Sequence, residues 1–265
     1  MKLPLYWIDA FSSRVFRGNP AAVVPLESWL DDEQLRGIAF ENGLSETAFL
    51  VRTGEARYRL RWFTPAVEVD LCGHATLASA HVLFRELGLQ GDSVTFETRS
   101  GELRVARAAG HRLELDFPSL PNTEIVQPTP ELLRGLGRAP ELVLTAPTRW
   151  LCVYASAAEV RELKPDHVAL AQVKPGRIIV TAPGEAGDCD FVSRYFAPDA
   201  GIPEDPVTGS AHCTLAPYWA ERLGRAELHA RQVSARGGKL WCKVAGDRVK
   251  IAGESVCYLR GEIEL

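Results

Sequence analysis

Two glycine-led segments, Cys72-Gly73-His74-Ala75 and Thr208-Gly209-Ser210-Ala211, hold the residues of this 265-residue chain best suited to chemistry. Glycine permits a tight strand-to-helix turn. Free N–H groups at the helix start, backed by the helix dipole, then attract a carboxylate or a developing oxyanion. A third candidate is Glu46, which heads the apolar strand Thr47-Ala48-Phe49-Leu50-Val51. A glutamate there is ordinarily solvated; turned into a cleft, it becomes an acid and base for proton transfer. His74 reads as a satisfied core histidine or as a polarising, proton-relaying group. Ser210 reads as a helix N-cap or as a group that orients a substrate. Asp205, before Pro206, is a turn residue or a hydrogen-bonding partner of the ligand.

Other combinations of these residues fit worse. Ser210, His74 and Asp205 have the composition of a hydrolase triad, but nothing resembles a G-x-S-x-G elbow. Zinc held by Cys72, His74, His212 and Cys213 is awkward, because helical neighbours 212 and 213 point about 100° apart. The expectation is no metal. The six cysteines, at 72, 152, 189, 213, 242 and 257, form no Cys-x-x-Cys pair and read mainly as reduced, buried thiols. His81, His111, His167 and His229 are read as surface or core residues without a role.

The elements that must position these residues recur. Arg61-Trp62-Phe63-Thr64-Pro65 returns as Arg194-Tyr195-Phe196-Ala197-Pro198, an offset of 133 that also pairs Gly43 with Gly176. After a three-residue insertion, Gly73-His74-Ala75 pairs with Gly209-Ser210-Ala211, and Gly110 to Leu113 with Gly246 to Val249. An ordered series of matches with one insertion indicates an internal repeat. In the first copy, strands flank the turn at Gly18-Asn19-Pro20. A helix follows, with Asp31 as N-cap and Gln34 completing a capping box, and Asn42-Gly43 ends it. Ser45 to Val51 and Tyr58 to Phe63 read as strands. Ala75 to Phe84 is apolar on nearly every side, so as a helix it must be buried all round. The economical packing is a curved sheet around that helix, built twice. Pro118 to Pro130, rich in proline, reads as the linker.

Several motifs together resemble the PhzF-like phenazine-biosynthesis family, of the diaminopimelate-epimerase-like fold. They are Asp9-Ala10-Phe11 with Gly18-Asn19-Pro20, Leu44 to Phe49, Leu71-Cys72-Gly73-His74-Ala75-Thr76, and Glu204 to Ala211. The resemblance spans the whole chain. It implies an α+β fold of two pseudo-symmetric domains, each a β-barrel wrapped around a central buried helix. The domains expected are 1–119 and 120–256, with the final strand near 257–265 a candidate to rejoin the first. It further implies a cofactor-free, metal-free isomerase, commonly a homodimer, whose best-defined member moves a proton between ring carbons of a dihydro-hydroxyanthranilate. Glu46 matches the family's proton-shuttling carboxylate. His74, Asp205 and Ser210 match the polar residues around the substrate, and Gly73 and Gly209 the helix-start amides that cradle its charged groups.

The copies differ where it matters. Opposite Glu46 in the repeat stands Ile179, opposite His74 stands Ser210, and opposite Cys72 stands Thr208. Two-base racemases of this fold place a cysteine at each helix start. Thr208 is no base, so the two-thiol mechanism is disfavoured and Cys72 reads as a packing residue. The reading is one-base proton transfer by Glu46 on a small carboxylate-bearing compound in an interdomain cleft, with a non-catalytic small-molecule-binding or regulatory protein as the alternative. A net charge of −4 without a basic stripe argues against nucleic acid. No apolar run reaches the length of a membrane helix, and no signal-peptide pattern is read at the N-terminus, so the expected location is cytoplasmic.

Overall fold

The computed structural model describes all residues except 122, 123 and 147. It divides into two compact units, Met1–Phe117 with Lys250–Leu265, and Pro118–Val249. The sequence reading placed these boundaries at 119/120 and 256/257. The return to the first unit comes earlier because the chain is already back in that unit at Lys250, before its last strand begins. Residues 122 and 123 of the expected linker lie outside the described residues. The remainder of that stretch includes a short strand and the proline that opens a helix.

The first unit contains β1 (Lys2–Ala10), β2 (Asn19–Leu26), α1 (Asp32–Asn42), β3 (Glu46–Gly54), β4 (Arg57–Phe63) and β5 (Glu68–Val69). It continues through α2 (Gly73–His81), β6 (Ser93–Thr98), β7 (Gly101–Ala108) and β8 (Arg112–Pro118). The second contains β9 (Glu124–Ile125), α3 (Pro130–Leu136), β10 (Leu142–Ala146), β11 (Arg149–Val153), α4 (Ala157–Glu162), α5 (His167–Leu170) and β12 (Ile178–Pro183). There follow β13 (Phe191–Ala197), β14 (Ile202–Asp205), α6 (Gly209–Leu223), β15 (Glu227–Gln232) and β16 (Gly238–Ala245). The chain leaves this unit in β17 (Arg248–Gly253) and ends in β18 (Ser255–Glu264).

The strands form a mixed sheet. In the first unit β1–β2 is antiparallel, β2–β3 parallel, β3–β4 antiparallel, β4–β6 parallel and β6–β7 antiparallel. In the second, β10 to β13, β15 and β16 run through the same succession. The parallel steps need crossovers, and α1 supplies the first. Asp31 accepts from the Gln34 amide at 2.8 Å, and Gly43 closes the helix in the left-handed region at φ 62°. Leu35, Ile38 and Ala39 then bury against Val24, Phe49 and Phe63. The last strand, β18, pairs antiparallel with β1 from Lys2–Glu264 to Ala10–Ser255.

The apolar helix is buried as its composition requires. Every residue of α2 from His74 to His81 is buried, and the helix packs on β1, β2, β3, β7 and β18. Its polar side chains satisfy themselves locally: Thr76 Oγ1 donates to the Cys72 carbonyl and Ser79 Oγ to the Ala75 carbonyl. Beyond His81 the helix widens into a single π-turn, Val82–Glu86. Its counterpart in length, α6, contains Pro217. Proline cannot donate to the carbonyl four residues back, and that carbonyl, of Cys213, accepts instead from the Leu120 amide at 2.9 Å.

Each unit also carries an arginine–glutamate fork that clamps a short hairpin. Arg61 binds Glu68 through Nε and Nη2 at 2.8 and 2.7 Å. Arg194 binds Glu204 in the same way at 2.7 and 2.9 Å, and its Nη1 also donates to the carbonyls of Val160 and Leu163. Arg194 is buried, so losing it strands a carboxylate and two carbonyls. Arg194→Ala is expected to lower the unfolding free energy by about 3–5 kcal/mol, read by urea denaturation. A loss of under about 1 kcal/mol, the range of exposed pairs, would show the fork to be ornamental.

Candidate active site

Glu46 opens β3, three residues after the left-handed Gly43 that ends α1. The Asn42 side chain donates to Thr47 Oγ1 at 3.1 Å and ties the helix end to the strand start. Strand alternation then assigns the faces. Phe49 packs on α1, so Glu46, Ala48 and Leu50 share the opposite face. Glu46 is 8% exposed, and its Oε2 lies 3.1 Å from His74 Nε2. The two sequence-predicted residues of the first unit therefore meet.

His74 is the second residue of α2 and has a neighbour at each ring nitrogen. Its Nδ1 lies 3.2 Å from Asn19 Nδ2 and 3.5 Å from Cys72 Sγ. Asn19 is brought there by the β1–β2 turn. Gly18 has φ +69°, and a Cβ on it would sit 2.1 Å from the Ala10 carbonyl oxygen, so only glycine fits. The Asn19 side chain was read from sequence as part of a turn motif, and its contact with His74 was missed. Cys72, read as packing, is buried but also abuts the imidazole.

Burial alone would lower the His74 pKa, but Cys72 and the Glu46 carboxylate hold it well above the ordinary value. Burial, then the Glu46 charge, pushes the Cys72 thiol up, so it stays protonated at neutral pH. The dominant partner of His74 is thus Glu46. Glu46, Cys72 and His74 place donor atoms within 4.8 Å of one another, close enough to suggest a metal. The carboxylate lies nearest Nε2 and the thiol nearest Nδ1.

In the second unit, Thr208 caps α6 as Cys72 caps α2, neither with a side-chain cap bond. The Thr208 hydroxyl donates to Asp205 Oδ2, and its amide donates to Gln232 Oε1 at 2.8 Å. Gln232 Nε2 returns to the Asp205 carbonyl at 2.7 Å. Asp205 is buried and Ser210 half-buried beside Gly209. Gln232 closes an alternating strand, and no local signal marks it. His212 donates from Nδ1 to the Thr208 carbonyl, and burial pushes it down to about 4, so it is neutral. At both starts the first helical amides, led by Gly73 and Gly209, have no intrahelical acceptor.

The sequence model of the phenazine biosynthesis-like proteins (PhzC-PhzF) matches residues 8–261. The chain belongs to this family. The phenazine biosynthesis-like chain is 53% identical to an uncharacterized isomerase of Pseudomonas aeruginosa, over 100% of both sequences. A PhzF-family crystal structure from Enterococcus faecalis superposes with a TM-score of 0.95 at 44% identity, over 100% of both chains. The fold alone is shared with a hydroxyproline epimerase from Agrobacterium vitis, TM-score 0.60 at 12% identity, covering 99% of this chain and 92% of that one. This member of the phenazine biosynthesis-like family is an isomerase. No helix among the described residues is long and apolar enough to cross a membrane.

The His74 environment has a consequence for stability. A pKa raised on folding contributes stability fully below the unfolded value, about 6.5, and loses it as pH rises through the folded value. The unfolding free-energy difference between wild type and His74→Gln should be largest below pH about 6.5 and shrink as pH increases. A difference that does not vary with pH, in urea titrations across that range, would contradict the ion pair.

Proposed function

We propose that the protein is a one-base isomerase acting on a small, conjugated carboxylate compound. Glu46 takes a proton: a substrate C–H bond breaks, a carboxyl O–H bond forms, and the electron pair spreads into the conjugated system as an enol- or enolate-like intermediate. The same carboxyl then returns the proton to another carbon, and the double bond shifts. His74, protonated beside the carboxylate, polarises the intermediate by donating toward its developing negative charge. Asp205, Ser210 and the amides at Gly73 and Gly209 hold and orient the substrate and stabilise its developing charge.

The observation that carries this reading is a buried acid, Glu46, set against an imidazole at a helix start. The corresponding position of the second unit is Ile179, which has no proton to exchange. Thr208 is committed to Asp205, so nothing there supplies a second thiol base. We read each sheet as wrapped into a barrel around its long helix, and the protein as a cytoplasmic homodimer that needs no cofactor. Incubation with a panel of conjugated small acids in D₂O should place deuterium in an isomerised product. Glu46→Gln should abolish conversion, by at least about 10²-fold for loss of a general base, while binding persists. A Glu46→Gln protein of undiminished activity would end the proposal. Tight binding by wild type with no conversion of any panel member would favour the non-catalytic alternative.

A further inference from the structure

We infer that Arg149 receives the carboxylate of the substrate. The inference rests on the carboxylate-bearing substrate of the proposed function, and its origin is the ladder register. In the first unit the parallel pair β2–β3 sets Ala21 opposite Glu46. Two residues before Ala21 stands Asn19, whose side chain reaches His74 in the first turn of α2. In the second unit the parallel pair β11–β12 sets Leu151 opposite Ile179, the counterpart of Glu46. Two residues before Leu151 stands Arg149. Its Nη1 donates to the Ser210 carbonyl at 3.0 Å and to Thr214 Oγ1 at 3.3 Å, in the first turns of α6. The place that holds a neutral amide in one unit holds a guanidinium in the other.

Arg149 is charged, half-buried and without an acidic partner. Its remaining bond runs from Nε to Thr148 Oγ1 at 3.2 Å, and Nη2 donates to none of the described residues. By contrast Arg177 and Arg231, comparably exposed in the same unit, pair with Asp199 and Asp188. Asp205 is engaged by Thr208. Tyr195, pushed up to about 12 mainly by burial, feels both Asp205 and Arg149, which sets the arginine in the neighbourhood of the predicted site residues. A guanidinium beside a helix N-terminus adds positive charge to the positive end of the dipole. Nη1 is engaged by the Ser210 carbonyl and Thr214, which leaves the Nη2 edge for an external anion. Arginine suits a planar carboxylate best, since two N–H groups can lie along its two oxygens.

The test compares three ligands with one ring and different head groups: anthranilate, anthranilamide and 2-aminophenylphosphonate. Affinities are measured by calorimetry on the full chain. Wild type should bind anthranilate about 10- to 100-fold more tightly than the amide, the range of a charge-assisted bond. Arg149→Gln should erase that preference and Arg149→Lys should keep part of it, which guards against a folding defect. Glu46→Gln should retain the preference in full. The inference is overturned if wild type shows no preference for the carboxylate, if the phosphonate binds best, or if the preference survives in Arg149→Gln. Loss of preference in Arg149→Gln combined with unimpaired deuterium exchange in Glu46→Gln would sink the one-base reading and leave the anion site standing.

Discussion

Burial of α2 on every side governs the first unit. A helix without a polar face cannot lie on a surface, so strands must pack around it, and here β1, β2, β3, β7 and β18 do so. The chain's return in β17 and β18 serves that need. Ser255, at the head of β18, bonds His81 Nδ1 at 2.8 Å, at the far end of the helix from the site. The same burial places the helix's first amides inside the protein rather than in bulk water. Backbone donors in that position require a partner. The residues that collect there, Cys72, His74 and Glu46, are the ones able to do chemistry.

The Glu46–His74 pair is tolerated because its surroundings are specified residue by residue. A buried ion pair is seldom a net gain in stability, since both charges lose their hydration. Holding it requires the exact register of β3: a slip of one residue would turn Glu46 toward α1 and put Thr47 against the imidazole. Asn42, Gly43 and the α1 cap together prevent that slip. On the other side of the ring, Gly18 and Asn19 fix the imidazole plane through Nδ1. Such expenditure on orientation is characteristic of a site that must present one carboxylate oxygen to a substrate.

Local patterns announce themselves in sequence, and ladder contacts do not. The α1 cap, the apolar α2 and the acid at the head of an apolar strand each follow from side-chain type and spacing within a dozen residues. Asn19 was visible as part of a turn, because glycine before it and proline after it are turn chemistry. Its bond to His74, 55 positions away, is set by the pairing of β2 with β3. Gln232 is hidden for the same reason, since its partners Asp205 and Thr208 lie more than twenty residues earlier. Cys72 looked like packing because a thiol's neighbours cannot be read from its own position. The early return at Lys250 was missed because β17 is one continuous strand, with no turn to mark where one unit ends.

Similar ladders with dissimilar side chains let the two helix starts take different tasks. At the first, the positive end of the dipole is answered from within: Glu46 supplies the negative charge and His74 shares its proton. An incoming anion there would meet a carboxylate already in place, so this start is suited to proton traffic rather than to anchoring charge. At the second, Asp205 is held by the Thr208 hydroxyl, and Ile179 contributes no charge. Arg149 instead adds to the positive potential. The two starts thus carry opposite electrostatic characters, an acid at the first and an arginine at the second. Had both starts carried an acid, or both an arginine, that polarity would vanish. Divergence at a few positions, on a succession of strands kept the same, is therefore enough to give the two helix starts opposite characters.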